Sequence, residues 1–147
     1  WNAHPSFVNG DQAHYQSVLK RCDKFLTQKI SDTASLRSVS FRQCSDQSDI
    51  CAVAENGNKG SKLELNEHKV RCVVRVIRNA LAHNNIVAFG SSLDQIEELG
   101  FFSETRIGAG CASKVDGYLV VTITTSALRN FLDEWFQMLK PAKNEAA

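Results

Sequence analysis

A chain of 147 residues, 43% of them hydrophobic, has the length of one ordinary domain and enough apolar content for its own core. Its formal net charge of +1 provides no global basic field, so any contact with a polyanion must come from a local patch. No apolar run is long enough to cross a bilayer and no signal-peptide pattern stands at the start. Five scattered cysteines without a CxxC pair argue against a disulfide framework and a zinc site and fit a reducing cytoplasm.

The chain begins with Trp1, as expected of a trimmed chain or a piece of something longer. Residues 1–10 read as a loosely held arm. From Asp11 to Ile30, Tyr15, Val18, Leu19, Cys22, Phe25, Leu26 and Ile30 recur at three- and four-residue steps, the pattern of an amphipathic helix. Ser31-Asp32-Thr33 is a break, and the stretch to Lys62 reads as a surface crossing. Within it, Ile50 to Ala54 fits a short helix or part of one that starts near Asp46, and Asn56-Gly57-Asn58-Lys59-Gly60 is a loop tolerant of positive φ.

Ser61-Lys62-Leu63-Glu64 matches a capping box and predicts a helix from about Lys62 to His83, roughly 30 Å long at ~1.5 Å per residue. Val70, Val73, Val74, Ile77 and Leu81 form the expected buried stripe, widened by Val76 and Ala80. Packing must hold so many β-branched residues helical. Asn84-Asn85 is the expected stop, since asparagine tolerates the left-handed conformation. Ile86 to Gly90 reads as a short extended piece. Ser92 to Gln95, another capping box, with Gly100 as a stop, predicts a helix over Leu93–Leu99. Phe101-Phe102 and Gly117–Thr124 read as strands joined by a hairpin loop around Gly108-Ala109-Gly110. In the second strand Tyr118, Val120, Thr122 and Thr124 alternate with Leu119, Val121 and Ile123. Leu128, Phe131, Leu132, Trp135, Phe136 and Leu139 mark a last amphipathic helix over Ser126–Lys140, and residues 141–147 are a polar tail. The expectation is one mainly α domain over residues 1–147: an antiparallel helical bundle with a small inserted β-hairpin.

The most informative stretch is Arg78-Asn79-Ala80-Leu81-Ala82-His83. Three hydrogen-bonding side chains crowd the end of a valine-rich helix, where a core helix gains nothing from them. Histidine exchanges a proton near neutral pH, and arginine is a permanent cation whose planar fork suits phosphate. Together they can hold a phosphodiester and move a proton beside it. A histidine at a helix C-terminus also serves the helix dipole, but Arg78 and Asn79 one turn earlier tip the balance toward a site. Arg71 and Arg75 share a face that is equally suited to solvent or to phosphate. His68 reads as a surface residue, and His4 and His14 carry no recognisable context. Trp135 and Phe136 belong to packing, and the lone glycine cluster is a turn with no following lysine.

Arg78, Asn79 and His83, with four residues between arginine and histidine, resemble the signature of the HEPN superfamily (higher eukaryotes and prokaryotes nucleotide-binding). The resemblance is firm over about Leu63–Ile86 and architectural over Asp11–Ile30 and Ser126–Lys140. It implies a helical bundle with variable insertions. It also implies either a metal-independent endoribonuclease of a toxin or defence system, or a non-catalytic module that binds nucleotide, RNA or a protein partner such as a cognate antitoxin. Under the first, RNA is cut through its own 2′-hydroxyl. His83 is then the general acid or base, Arg78 steadies the phosphoryl oxygens, Asn79 orients the histidine or binds a phosphate oxygen, and Arg71 and Arg75 bind RNA or nucleotide. No metal and no cofactor are called for. Five residues at ~100° each leave Arg78 and His83 roughly 140° apart on a straight helix. A frayed last turn, or a homodimer with facing motifs, reconciles them.

Overall fold

The computed structural model describes residues 12–56, 60–92, 94–108 and 113–140. The arm at 1–10, Asp11, the loop residues 57–59, Leu93, residues 109–112 with most of the glycine cluster, and the tail at 141–147 lie outside the described residues. Helix α1 (Gln12–Leu26) is followed by 3-10 turns at Ile30–Asp32 and Ala34–Leu36. Strand β1 (Ser40–Cys44), helix α2 (Gln47–Asn56), strand β2 (Ser61–Lys62) and helix α3 (Val70–His83) come next. Strands β3 (Ile86–Phe89), β4 (Glu98–Ile107) and β5 (Lys114–Thr124) precede helix α4 (Thr125–Leu139). All strands pair antiparallel in one five-stranded sheet, in the order β2-β1-β5-β4-β3. The expected mainly α bundle is therefore wrong. The protein is α+β, with a sheet at its centre instead of a hairpin at its margin.

The alternation in β5 divides the core. Leu119, Val121 and Ile123 face the layer of α1, α3 and α4, where Phe25, Ile30, Leu36, Phe41, Val73, Val76, Phe101 and Phe131 complete the main core. Tyr118 and Val120 face the opposite side, where Ile50 and Val53 of α2 pack with Cys44 and Phe102 in a smaller cluster. Registers follow: Phe41 and Phe101 both stand opposite Val121, and Phe102 opposite Val120. Two sides of one strand thus bury two sets of helices, giving a layered domain.

The helix expected from Lys62 starts only at Val70. Ser61 and Lys62 instead pair with Gln43 and Arg42 of β1, and the Leu63 N–H donates to the Phe41 carbonyl at 2.8 Å. The segment to Lys69 makes a turn, with the Glu67 N–H donating to the Glu64 carbonyl at 3.1 Å, and residues near α1 claim the rest of its main chain: the Ile30 N–H donates to the His68 carbonyl at 2.9 Å and the Ser31 N–H to that of Leu65 at 3.3 Å. Tertiary pairing overrides the capping box. Lys69 occupies the N-cap position with no side-chain cap bond.

Within α3 the buried residues are Val70, Val73, Val76 and Ala80. The stripe is rotated from the expected one: Val74 and Ile77 are half-buried and Leu81 is 60% exposed. Burying each valine contributes roughly 1.5–3 kcal/mol, which outweighs the weak helix propensity of β-branched residues. α3 lies chiefly on β4, and the expected helix-on-helix packing is confined to modest contacts of α1 with α3 and α4.

The helix expected over Leu93–Leu99 does not form. A bridge between Ser92 and Gln95 closes a tight turn, and Glu98 already belongs to β4. Gly100 is not a helix stop but a mid-strand residue under an aromatic ring: an added Cβ would lie 3.0 Å from Phe89 Cε2. α2 and α4 form near their expected places, as does the extended piece that becomes β3. Asp46 precedes α2, and its Oδ1 accepts from the Ser48 N–H at 2.8 Å, which holds its carboxyl below the usual range.

Candidate functional site

α3 ends where its sequence says it should. Asn84 adopts φ 57° and ψ 34°, the left-handed conformation, and its N–H donates to the Ala80 carbonyl. The Asn85 N–H donates to the same carbonyl at 2.8 Å. This reversal turns the chain directly into β3, so the last turn of α3 faces the part of β4 that β3 does not reach. Ile86 pairs with Phe101, whereas β4 continues to Ile107.

A polar groove of about 550 Å³ lies there, lined by Asn79, His83, Asn85, Ser103, Glu104 and Arg106. His83 is exposed at its rim. Arg106 donates from Nη2 to Glu104 Oε2 at 2.6 Å and from Nε at 3.2 Å, so the two charges largely neutralise each other. The groove offers an imidazole, two amides, a hydroxyl and a paired guanidinium. Among the described residues, no group of three or more His, Cys, Asp and Glu gathers to hold a metal ion.

Arg78 does not line this groove. It borders two neighbouring ones. The first, about 300 Å³, is lined by Leu26, Arg71, Cys72, Val74 and Arg75 beside Arg78. The second, about 220 Å³ and apolar, lies toward Leu81, Phe131, Leu132 and Trp135. The angular mismatch between Arg78 and His83 is thus real, and the last turn of α3 does not fray to remove it. Asn79 bridges the two faces. Arg78 donates from Nη2 and Nε to Asn79 Oδ1 at 3.0 and 3.3 Å. Asn79 Nδ2 donates to Ser103 Oγ at 3.1 Å. The guanidinium is thus tied to an amide that lines the polar groove, while Arg78 itself lines the neighbouring ones.

Arg71 and Arg75 stand exposed in the same groove as Arg78. No carboxylate pairs with either among the described residues. This leaves a row of cations over an apolar floor.

Ser103, Asn85, Glu104 and Arg106 were not legible as site residues. Leu99, Phe101 and Ser103 occupy successive inward positions of β4, opposite Ile123, Val121 and Leu119. A hydroxyl stands at the third, where an apolar residue would continue the core, and it is 6% exposed. That break in an apolar face was the available signal, masked because β4 was expected to be only two residues long.

The family model described as HEPN pEK499 p136 matches residues 9–146. Comparison with curated proteins and with solved structures finds no match.

Proposed function

The chain belongs to the HEPN pEK499 p136 family, and from that premise we propose that it is an endoribonuclease that cleaves RNA through the ribose 2′-hydroxyl without a metal, in the manner of a toxin or defence effector. HEPN-type modules are often ribonucleases or nucleotide-binding domains. The observation that carries the reading is Asn79, which lines the groove that holds His83 and accepts a hydrogen bond from the Arg78 guanidinium beside it.

The 2′-oxygen attacks the adjacent phosphorus, the bond from phosphorus to the 5′-oxygen breaks, and a 2′,3′-cyclic phosphate and a free 5′-hydroxyl result. A base takes the 2′-proton and an acid supplies one to the leaving oxygen; His83 serves as one of these. Arg78 neutralises charge that builds on the phosphoryl oxygens, and Arg71 and Arg75 seat neighbouring phosphates. The nucleophile belongs to the substrate, so no metal-activated water is required.

The second proton-transfer group is supplied by a homodimer. Leu81, Leu132, Phe136 and Leu139 are 60%, 43%, 57% and 43% exposed, and Leu81 and Leu132 flank the apolar groove that Arg78 borders. A two-fold contact there brings two Arg78/His83 ends together.

The test is cleavage of an RNA panel in chelator, with products assayed for the cyclic phosphate. His83→Ala and Arg78→Ala should each slow cleavage by about 10² or more and remain folded, since both side chains are exposed. Equal cleavage by wild type and His83→Ala, or no cleavage by either, defeats the proposal. A second reading, a non-catalytic module for nucleotide, RNA or a cognate antitoxin, is favoured by one observation: Arg78 and His83 line different grooves. It takes over if the protein binds RNA and leaves it intact.

A further inference from the structure

The geometry points to Ser103 as a positioning residue that acts on Arg78 through Asn79. The idea rests on the proposed role of Arg78 at a phosphodiester, and it concerns what aims that side chain.

A guanidinium has donors only, so the amide oxygen of Asn79 must face Arg78 and the amide nitrogen must face away. That nitrogen points into the protein, toward β4, where Asn79 is half-buried and Ser103 is 6% exposed. It needs an acceptor there, and Ser103 Oγ provides one at 3.1 Å. The serine proton is then directed elsewhere, and the Glu104 carbonyl lies 3.5 Å from Oγ. The chain of donors runs one way: Arg78 to Asn79, Asn79 to Ser103, Ser103 to the β4 main chain. Its last member is fixed by the sheet, because Ser103 stands opposite Leu119 in the long β4–β5 ladder. Arg78 itself is exposed on a helix surface, with four rotatable bonds and no other hydrogen-bond partner among the described residues. The chain engages the Nε–Nη2 edge of the fork and leaves Nη1 for an oxygen of a ligand. Ordering such a side chain before the ligand arrives reduces the entropy lost in the transition state.

Without the serine oxygen, the Asn79 nitrogen loses its buried acceptor. The amide then swings out to water, and the guanidinium loses its hold. A serine that merely fills space would tolerate alanine at no cost to Arg78.

The experiment has two arms. In the first, the Arg78 Nε–H is followed by nitrogen-15 NMR, assigned by its loss in Arg78→Lys. Ser103→Ala should shift this resonance and speed its exchange with solvent. Ser103→Thr, which keeps the hydroxyl, should restore the wild-type signal. Asn79→Ala breaks the same chain from its middle and should give the same shift, which covers a Ser103→Ala protein that fails to fold. An Arg78 signal unchanged in these variants overturns the inference. In the second arm, RNA cleavage by Ser103→Ala should lose about tenfold in kcat, the scale of one hydrogen bond, with KM within about twofold. The Asn79→Ala/Ser103→Ala double variant should lose no more than Asn79→Ala alone. Additive losses overturn the relay. A wild type that cuts no RNA refutes the nuclease reading, while the NMR arm still decides the relay.

Discussion

Asn84 is the residue on which the site's shape turns, and its replacement yields a quantity that can be worked out in advance. It sits between His83 and Asn85, both of which line the polar groove, and it reverses the chain at φ 57° and ψ 34°. The left-handed conformation costs an L-residue with a Cβ roughly 1–2 kcal/mol, and asparagine less because its short amide bonds locally. A β-branched side chain fares worst there. Asn84 is exposed, so its replacement removes no packing, and both main-chain bonds to the Ala80 carbonyl survive any substitution that keeps the backbone. Asn84→Val should therefore cost about 1.5 kcal/mol, close to tenfold in the folded-to-unfolded ratio. At ~2–4 °C per kcal/mol for a domain of this size, the midpoint falls by about 3–6 °C in calorimetry. Asn84→Gly adopts the same conformation freely but gains freedom when unfolded, so its midpoint should stay within ~2 °C of wild type. Cleavage should follow the backbone: retained in the glycine variant and reduced in the valine variant as His83 is re-aimed. A valine variant as stable as wild type, or a glycine variant as damaged as valine, would refute this account of the turn.

Leu81→Glu places a charge on the apolar face beside Arg78 and should convert a dimer to monomer in sedimentation velocity at micromolar concentration; a wild type already monomeric there sinks the dimer. Burial, reinforced by Asp49 and partly opposed by Arg42, pushes the Cys44 thiol above its ordinary pKa of 9.0. The fold favours the protonated thiol, so this contribution is whole below pH 9.0 and is lost as pH rises through the higher folded value. The urea midpoint should thus fall more steeply above pH 9 in wild type than in Cys44→Ala, and parallel slopes would contradict it.

The superfamily was legible in the residues. Arg78, Asn79 and His83 are close along one helix, and nothing beyond local spacing is needed to see them. The left-handed stop at Asn84 and the two-sided alternation of β5 were legible for the same reason: backbone conformation and strand pleat are local properties. No helix among the described residues is long and apolar enough to cross a membrane, as the hydropathy pattern implied.

The sheet was not legible, because its strands come from distant parts of the chain. Ser61-Lys62-Leu63-Glu64 carries the local signal of a helix start, and only the presence of Arg42 and Gln43 alongside converts it to a strand. β1 lies in a stretch whose polar residues hid its one deeply buried aromatic, Phe41. Gly100 looked like a stop until the Phe89 ring was found over it. The stripe of α3 was placed toward Val74, Ile77 and Leu81 instead of Val76 and Ala80 because which face is buried depends on where β4 lies. The site divides along the same line. Sequence alone singled out residues 78, 79 and 83 as the candidate site, since that is a matter of side-chain type and spacing. Tertiary structure alone decided that Arg78 faces a different groove from His83, and that Ser103, distant in sequence, holds the Asn79 amide between them. Hydrogen bonds across a sheet depend on register, and register is set by packing.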